Sequence, residues 1–205
     1  MQIYRTPFSG AYWRDALKDF HKPRTLVFSA LMIAACVVLS YVPSIPITDG
    51  VQVTWGFLAR TLCALVGGPV NALVFGLAED TVSFLINPKG VYFPGYALTT
   101  MLGTLVYALF LYRTRVTVLR IFLAKLCNNM LNVLLGSLWS AVLYGKGYLY
   151  YVSTRIVTNA IMLPVQTVML VLLFMALLPV LCRMGLIPAE GSGGLHLPGG
   201  KSKKT

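Results

Sequence analysis

The feature that most limits what this chain can form is a succession of long apolar runs separated by short clusters of Pro, Gly and charge. A helix needs about 20 mostly apolar residues to cross the hydrocarbon of a bilayer, and a backbone placed there must satisfy its own hydrogen bonds. Runs of that kind lie at 25–42, 51–66, 70–86, 94–112, 119–144 and 152–181. Pro43 and Pro46 with Asp49-Gly50, then Gly67-Gly68-Pro69, Asn87-Pro88-Lys89-Gly90, the basic stretch from Arg113, and Gly145-Lys146-Gly147 divide them. The second run is short and carries Arg60; the last is interrupted by Pro164 and Pro179. The expected fold class is therefore an all-α integral membrane protein of six transmembrane helices. An amino-terminal segment at 1–24 precedes a membrane domain at 25–183, and a flexible Gly-rich tail follows at 184–205. No signal-peptide core or cleavage pattern is visible in the first segment. With 57% hydrophobic and 11% charged residues in 205, against about 25% charged in a soluble domain, there is no room for a separate soluble catalytic domain.

The net charge of +11 suggests nucleic acid in a soluble chain, but here it first reports orientation. Twelve of the seventeen Lys and Arg fall before the first run, after the fourth and in the tail. Only Lys89 and Lys146 fall on the opposite side, and Arg60, Lys125 and Arg155 lie within runs. By the positive-inside rule both termini are cytoplasmic. No nucleic-acid partner is expected; membrane lipid is.

Charged side chains inside a span cost about 2.5–3.5 kcal/mol on insertion scales, so each needs a partner or a wet cavity. Arg155, Asn159, Met162 and Gln166 share one face of the sixth run at offsets of four, three and four. Lys125, Asn128 or Asn129, Asn132, Gly136 and Trp139 make a stripe on the fifth, and the two stripes are expected to face each other. Asn and Gln bond across membrane helices for about 0.6–2 kcal/mol, and that plain role is assigned to Lys125, Asn129 and Gln166. For Asn132, Trp139, Arg155 and Asn159, near the outer mouth, ligand contact is favoured. In the third run Gly68, Ala72, Gly76 and Asp80 form a small-residue seam ending in a carboxylate, whose plainer role is an ion pair with Arg60.

Other chemistry is missing. Gly200-Lys201-Ser202 lacks the Gly a P-loop needs, since position 195 is Leu. The adjacent Glu79 and Asp80 point apart and do not converge on a metal. His21 and His196 lie in the terminal segments, and the four Cys show no ligand or disulfide spacing. No catalytic constellation, metal site or cofactor is expected, and the chain reads as no enzyme.

Residues 67–112, from Gly68-Pro69 through Gly76, Asp80, Pro88 and Gly90 to Phe93-Pro94-Gly95-Tyr96, resemble the substrate-binding S component of energy-coupling-factor vitamin transporters, within it the folate family. Ala30 and Ala34 match that family's A-x-x-x-A contact with the transmembrane coupling subunit. The resemblance implies a multi-pass protein of the bacterial plasma membrane. It would capture folate or a related vitamin outside and deliver it by reorientation, with the coupling subunit and two cytosolic ATPases as partners and Pro43 to Gln52 as a gate. Folate presents a planar pterin edge and two carboxylates. Asp80, or Asn128 and Asn132, would read the edge, with Trp55, Tyr92, Phe93 and Trp139 as stacking walls; Arg155, Lys146 and Lys89 would meet the carboxylates. An S component for riboflavin or a thiamine precursor, and an independent secondary carrier, are the alternatives.

Overall fold

The computed structural model describes residues 10–41, 45–48, 51–53, 55–86, 93–114, 116–145 and 147–187, with backbone alone at 45–48, 51–53 and 144. In chain order the elements are α1 (Gly10–Phe20), α2 (Pro23–Tyr41), β1 (Ile45–Thr48), β2 (Val51–Val53), α3 (Phe57–Ile86), α4 (Pro94–Leu111), α5 (Val118–Tyr144) and α6 (Tyr148–Arg183). Of these six helices among the described residues, α2 to α6 are long and apolar enough to cross a membrane. At 11 residues, α1 is not.

The second and third expected spans belong to one element. Within α3 the backbone leaves the helical region at Gly68, with φ 75° and ψ −177°. Arg60 and Glu79 would stand ~28 Å apart on a straight helix, yet their side chains meet at 3.0 Å. The element therefore folds back on itself at Gly68, and its arms, 57–67 and 69–86, run antiparallel. Only glycine tolerates this φ at little cost, and a Cβ there would fall 2.9 Å from the Tyr112 ring. The first arm spans only ~16 Å, about half the hydrocarbon thickness.

Two expected boundaries move. Val51 to Val53, assigned to the second span, is instead a strand paired antiparallel with Ile45–Thr48, so the helix starts at Phe57. Asp49-Gly50 between two β-branched stretches is a hairpin signal, and it outweighs the apolar character of the residues after it. Tyr148, Tyr150 and Tyr151, expected in a loop, open α6, which then runs through Pro164 and Pro179 without a break.

Neighbouring helices pack in sequence order: α2 on α3, α3 on α4, α4 on α5 and α5 on α6. The small-residue seam is where α4 approaches α3, since a Cβ on Gly76 would lie 2.7 Å from the Met101 Cα. The apolar core, with Leu65, Tyr107, Leu111, Ile121, Leu170 and Phe174, fills the half of the bundle nearest Gly68. Short α1 is seated at that end. Tyr12 and Ala16 pack against Tyr112, Val70 and Leu109, and the Tyr12 hydroxyl donates to the Ala108 carbonyl at 3.2 Å. Arg113 holds Asp15 at 2.6 Å and Asp19 at 2.8 Å.

Candidate functional site

Because the first arm of α3 is short, the other half of the bundle is not filled by apolar side chains. It holds a cavity of about 680 Å³. That volume lies within the ~300–1,000 Å³ typical of small-molecule sites.

Five segments wall it. Cys36, Leu39 and Ser40 come from the end of α2, and Trp55 and Gly56 precede Phe57 and Arg60 on the first arm of α3. Glu79 and Ser83 come from the second arm, and α5 supplies Lys125, Asn128, Asn129 and Asn132. From α6 come Tyr151, Thr154, Arg155, Thr158, Asn159, Met162 and Gln166, a stripe recurring every three to four residues. The polar stripes on α5 and α6 thus face one space, as their periodicity predicts.

The charges in this space are unbalanced. Arg60 Nη2 donates to Glu79 Oε1 at 3.0 Å, its Nε lies 3.0 Å from Oε2, and Glu79 is 3% exposed. Lys125 is 4% exposed; its ammonium lies 4.7 Å from the centre of the Phe57 ring and meets no carboxylate among the described residues. A cation over an aromatic face is stabilised by the ring quadrupole, but the charge is left uncompensated. Arg155 donates from Nη1 to Asn132 Oδ1 and from Nη2 to Ser140 Oγ, both at 3.0 Å. Its guanidinium can approach α5 this closely because position 136 is Gly, where a Cβ would lie 2.8 Å from Nη1. Three cations and one carboxylate line the cavity. Lys125 and Asn132 are two helical turns apart, ~10 Å, so the surplus is spread along the cavity's length.

Of the residues singled out from sequence, Trp55, Asn128, Asn132, Arg155 and Asn159 all line this cavity. Asp80 does not. It accepts from Thr100 Oγ1 of α4 at 3.3 Å, and its neighbour Glu79 takes both the cavity position and the pairing with Arg60. A one-residue step rotates a helix by about 100°, which is why the choice between adjacent carboxylates needs the neighbouring helices. Phe93 and Trp139 pack on each other at 5.5 Å, and Trp139 Nε1 donates to Thr99 Oγ1 at 3.0 Å. They tie α5 to α4 and stand outside the cavity lining. Lys89, Tyr92 and Lys146 lie outside the described residues, as does part of the expected gate. Lys125, Asn129 and Gln166, read from sequence as interhelical glue, line the cavity; Asn129 serves that role as well, reaching the Asn159 carbonyl at 3.5 Å. Arg60 and Glu79 were not singled out as ligand contacts, although charges in apolar runs marked them; Tyr151, for which the sequence left an interfacial belt and ligand contact equally open, lines the cavity. Ala30 and Ala34 lie exposed on one face of α2.

Residues 24–174 match the family of ECF transporter substrate-specific components. The chain belongs to that family. Among its relatives is the folate transporter FolT of Clostridium novyi (strain NT), 30% identical over 150 residues, which are 73% of this chain and 87% of the relative. A second, the folate transporter FolT of Leuconostoc mesenteroides, is 27% identical over 150 residues, covering 70% and 80%. Among solved structures, FolT bound with folic acid superposes with a TM-score of 0.63 at 28% identity, over 71% of this chain and 88% of the other. As a substrate-specific component with several membrane-crossing helices, the chain is a multi-pass protein of the cell membrane.

Proposed function

We propose that the cavity binds folate, and that the chain is the folate-capturing subunit of an ATP-driven importer rather than an enzyme. The observation that carries this reading is the cavity's surplus of basic side chains, Arg60, Lys125 and Arg155 against Glu79. An unpaired cation in a low-dielectric space is costly, and an anionic ligand relieves that cost. Folate is a dianion, and it is long enough to reach cations placed ~10 Å apart. The relatives named for folate support the same ligand.

In this assignment the glutamate tail lies on Arg155, with Thr154 and Thr158 beside it, and the pterin edge is read by the amides of α5 and α6. Glu79 rather than Asp80 is the carboxylate available to the pterin's donors, and Trp55 and Tyr151 are the flat walls. Phe93 and Trp139 act by fixing α5. The twelve basic residues on one side favour inward termini, so that the cavity opens outward. The exposed Ala30 and Ala34 make a flat patch for the coupling subunit, ATP hydrolysis belongs to two cytosolic partners, and delivery follows reorientation of the bundle.

The test is titration of the purified chain with folate, followed by calorimetry and by Trp fluorescence, with Trp55→Phe isolating the signal from the cavity. Saturable quenching lost in Trp55→Phe is expected. No binding of any folate at micromolar concentration rejects the assignment and leaves another vitamin of the same family, riboflavin or a thiamine precursor, as the cargo. Arg155→Ala is expected to weaken folate by about 10-fold or more while sparing a pterin that lacks the glutamate tail, since a hydrogen-bonded charge contributes roughly 1.5–3 kcal/mol. Equal losses for both ligands remove Arg155 from the tail.

A further inference from the structure

Helix α1 has two sides of different charge. Its acids, Asp15 and Asp19, are both turned inward onto Arg113, and Asp19 is taken further by Lys22 and the Tyr112 hydroxyl. With both carboxylates consumed, the outward side carries Arg14 and Lys18 beside Trp13 and Leu17, which are 39% and 49% exposed. Arg24 continues the exposed basic surface into the start of α2. A mixed charge pattern in the sequence thus becomes a purely cationic and amphipathic face in the fold.

The position of this face fixes what it meets. Membrane-crossing α2 begins at Pro23, three residues after α1 ends, so α1 sits where a span enters the headgroup layer. An amphipathic helix at that depth buries its aromatic and aliphatic side chains at the acyl boundary and offers its cations to phosphates. We propose that the outer face of α1 is a binding surface for anionic phospholipid headgroups, with Trp13 and Leu17 inserted and Arg14 and Lys18 on the phosphates. Because Arg113, on the turn after α4, clamps α1 to the bundle, this grip is passed rigidly to the membrane-crossing helices. A tilt of the bundle must therefore either drag α1 through the headgroup layer or break the Arg113 contacts. The surface is independent of the cavity and of what the cavity binds.

The experiment places the full chain, without partner subunits, in nanodiscs of phosphatidylcholine containing varied fractions of brominated phosphatidylglycerol or brominated phosphatidylcholine. Trp13 fluorescence is read as the difference between the chain and Trp13→Phe. Stronger quenching by the anionic lipid at equal mole fraction is expected. At ~1 kcal/mol for each cation near the surface, Arg14→Gln with Lys18→Gln should lower the relative affinity for the anionic lipid about 30-fold. Ligand titration of the same variant checks that the bundle is intact. Equal quenching by the two lipids in the unaltered chain, as expected if these cations dock a protein instead, overturns the proposal; so does an unchanged preference in the double variant.

Discussion

The two ends of the bundle treat charge in opposite ways. Beside α1, Arg113 and Lys22 meet Asp15 and Asp19, so two cations face two carboxylates. In the cavity, three basic side chains face Glu79 alone among the described residues. A balanced buried cluster has nothing left to offer a ligand, and its role is to hold one element against another. An unbalanced one is unfinished without an anion. The number of charges is similar at the two ends; the balance separates a structural clamp from a binding site.

The largest expected effect tests the balanced end. Arg113→Ala removes two charge-assisted hydrogen bonds, one to Asp15 and one to Asp19, which keeps Lys22 and the Tyr112 hydroxyl, and at roughly 1.5–3 kcal/mol each should cost about 3 kcal/mol of stability. Detergent-solubilised unfolding measures this, and the folded fraction should bind ligand with unaltered affinity; a parallel loss of affinity would merge the two ends into one functional unit. The pH response of the same end follows from Asp19. Burial works to raise its carboxyl pKa, but hydrogen bonds from Lys22, Tyr112 and Arg113 outweigh it and hold the value below the ordinary one. A group depressed in the folded state contributes stability that is complete above its unfolded pKa, near ~3.9, and is lost as pH falls through the folded value. Acid unfolding monitored at Trp13 should therefore leave α1 docked from neutral pH down to about pH 4 and release it below.

Next in size is the unbalanced end. Lys125→Met keeps the volume and removes the unpaired cation, so folate affinity should fall about 10- to 100-fold, in line with roughly 1.5–3 kcal/mol for a charged hydrogen bond. Thermal stability should hold or rise, because no carboxylate loses its partner. A destabilised Lys125→Met variant with intact affinity would turn Lys125 back into glue. Gly136→Ala pushes against the Arg155 guanidinium, and folate affinity should drop about 5-fold (~1 kcal/mol) with little change in unfolding. The smallest effect belongs to Asp80→Asn. Its hydrogen bond to Thr100 has an amide substitute and it lies outside the cavity lining, so affinity measured by titration should stay within about 2-fold.

Most of the scaffold was legible because the membrane leaves few choices. Apolar length and the breaks at Pro and Gly gave α2, α4, α5 and α6 within a few residues. The facing of the α5 and α6 stripes followed from a period of 3.6, and Asn128, Asn132, Arg155 and Asn159 line one cavity. Three points were hidden. Gly67-Gly68-Pro69 marked a turn, but not that its first arm would be too short to cross. The preference for Asp80 over Glu79 rested on a seam that proved to serve α4. Trp139 continued the polar stripe of α5 by spacing, yet the nearness of Phe93 and Thr99 drew it to the other side.

Sequence alone determined that this chain lives in lipid, roughly where α2, α4, α5 and α6 lie, and which helical faces are polar, since each follows from local hydrophobicity and helix period. Tertiary structure decided which charges cancel. Arg60 meets Glu79 only because Gly68 reverses the chain, Asp15 is spent and Asp19 gains a partner beyond its local Lys22 because Arg113 reaches them from 94 or more residues away, and Lys125 is left without a carboxylate among the described residues. Electrostatic compensation depends on distances between segments remote in the chain, and no local pattern encodes them.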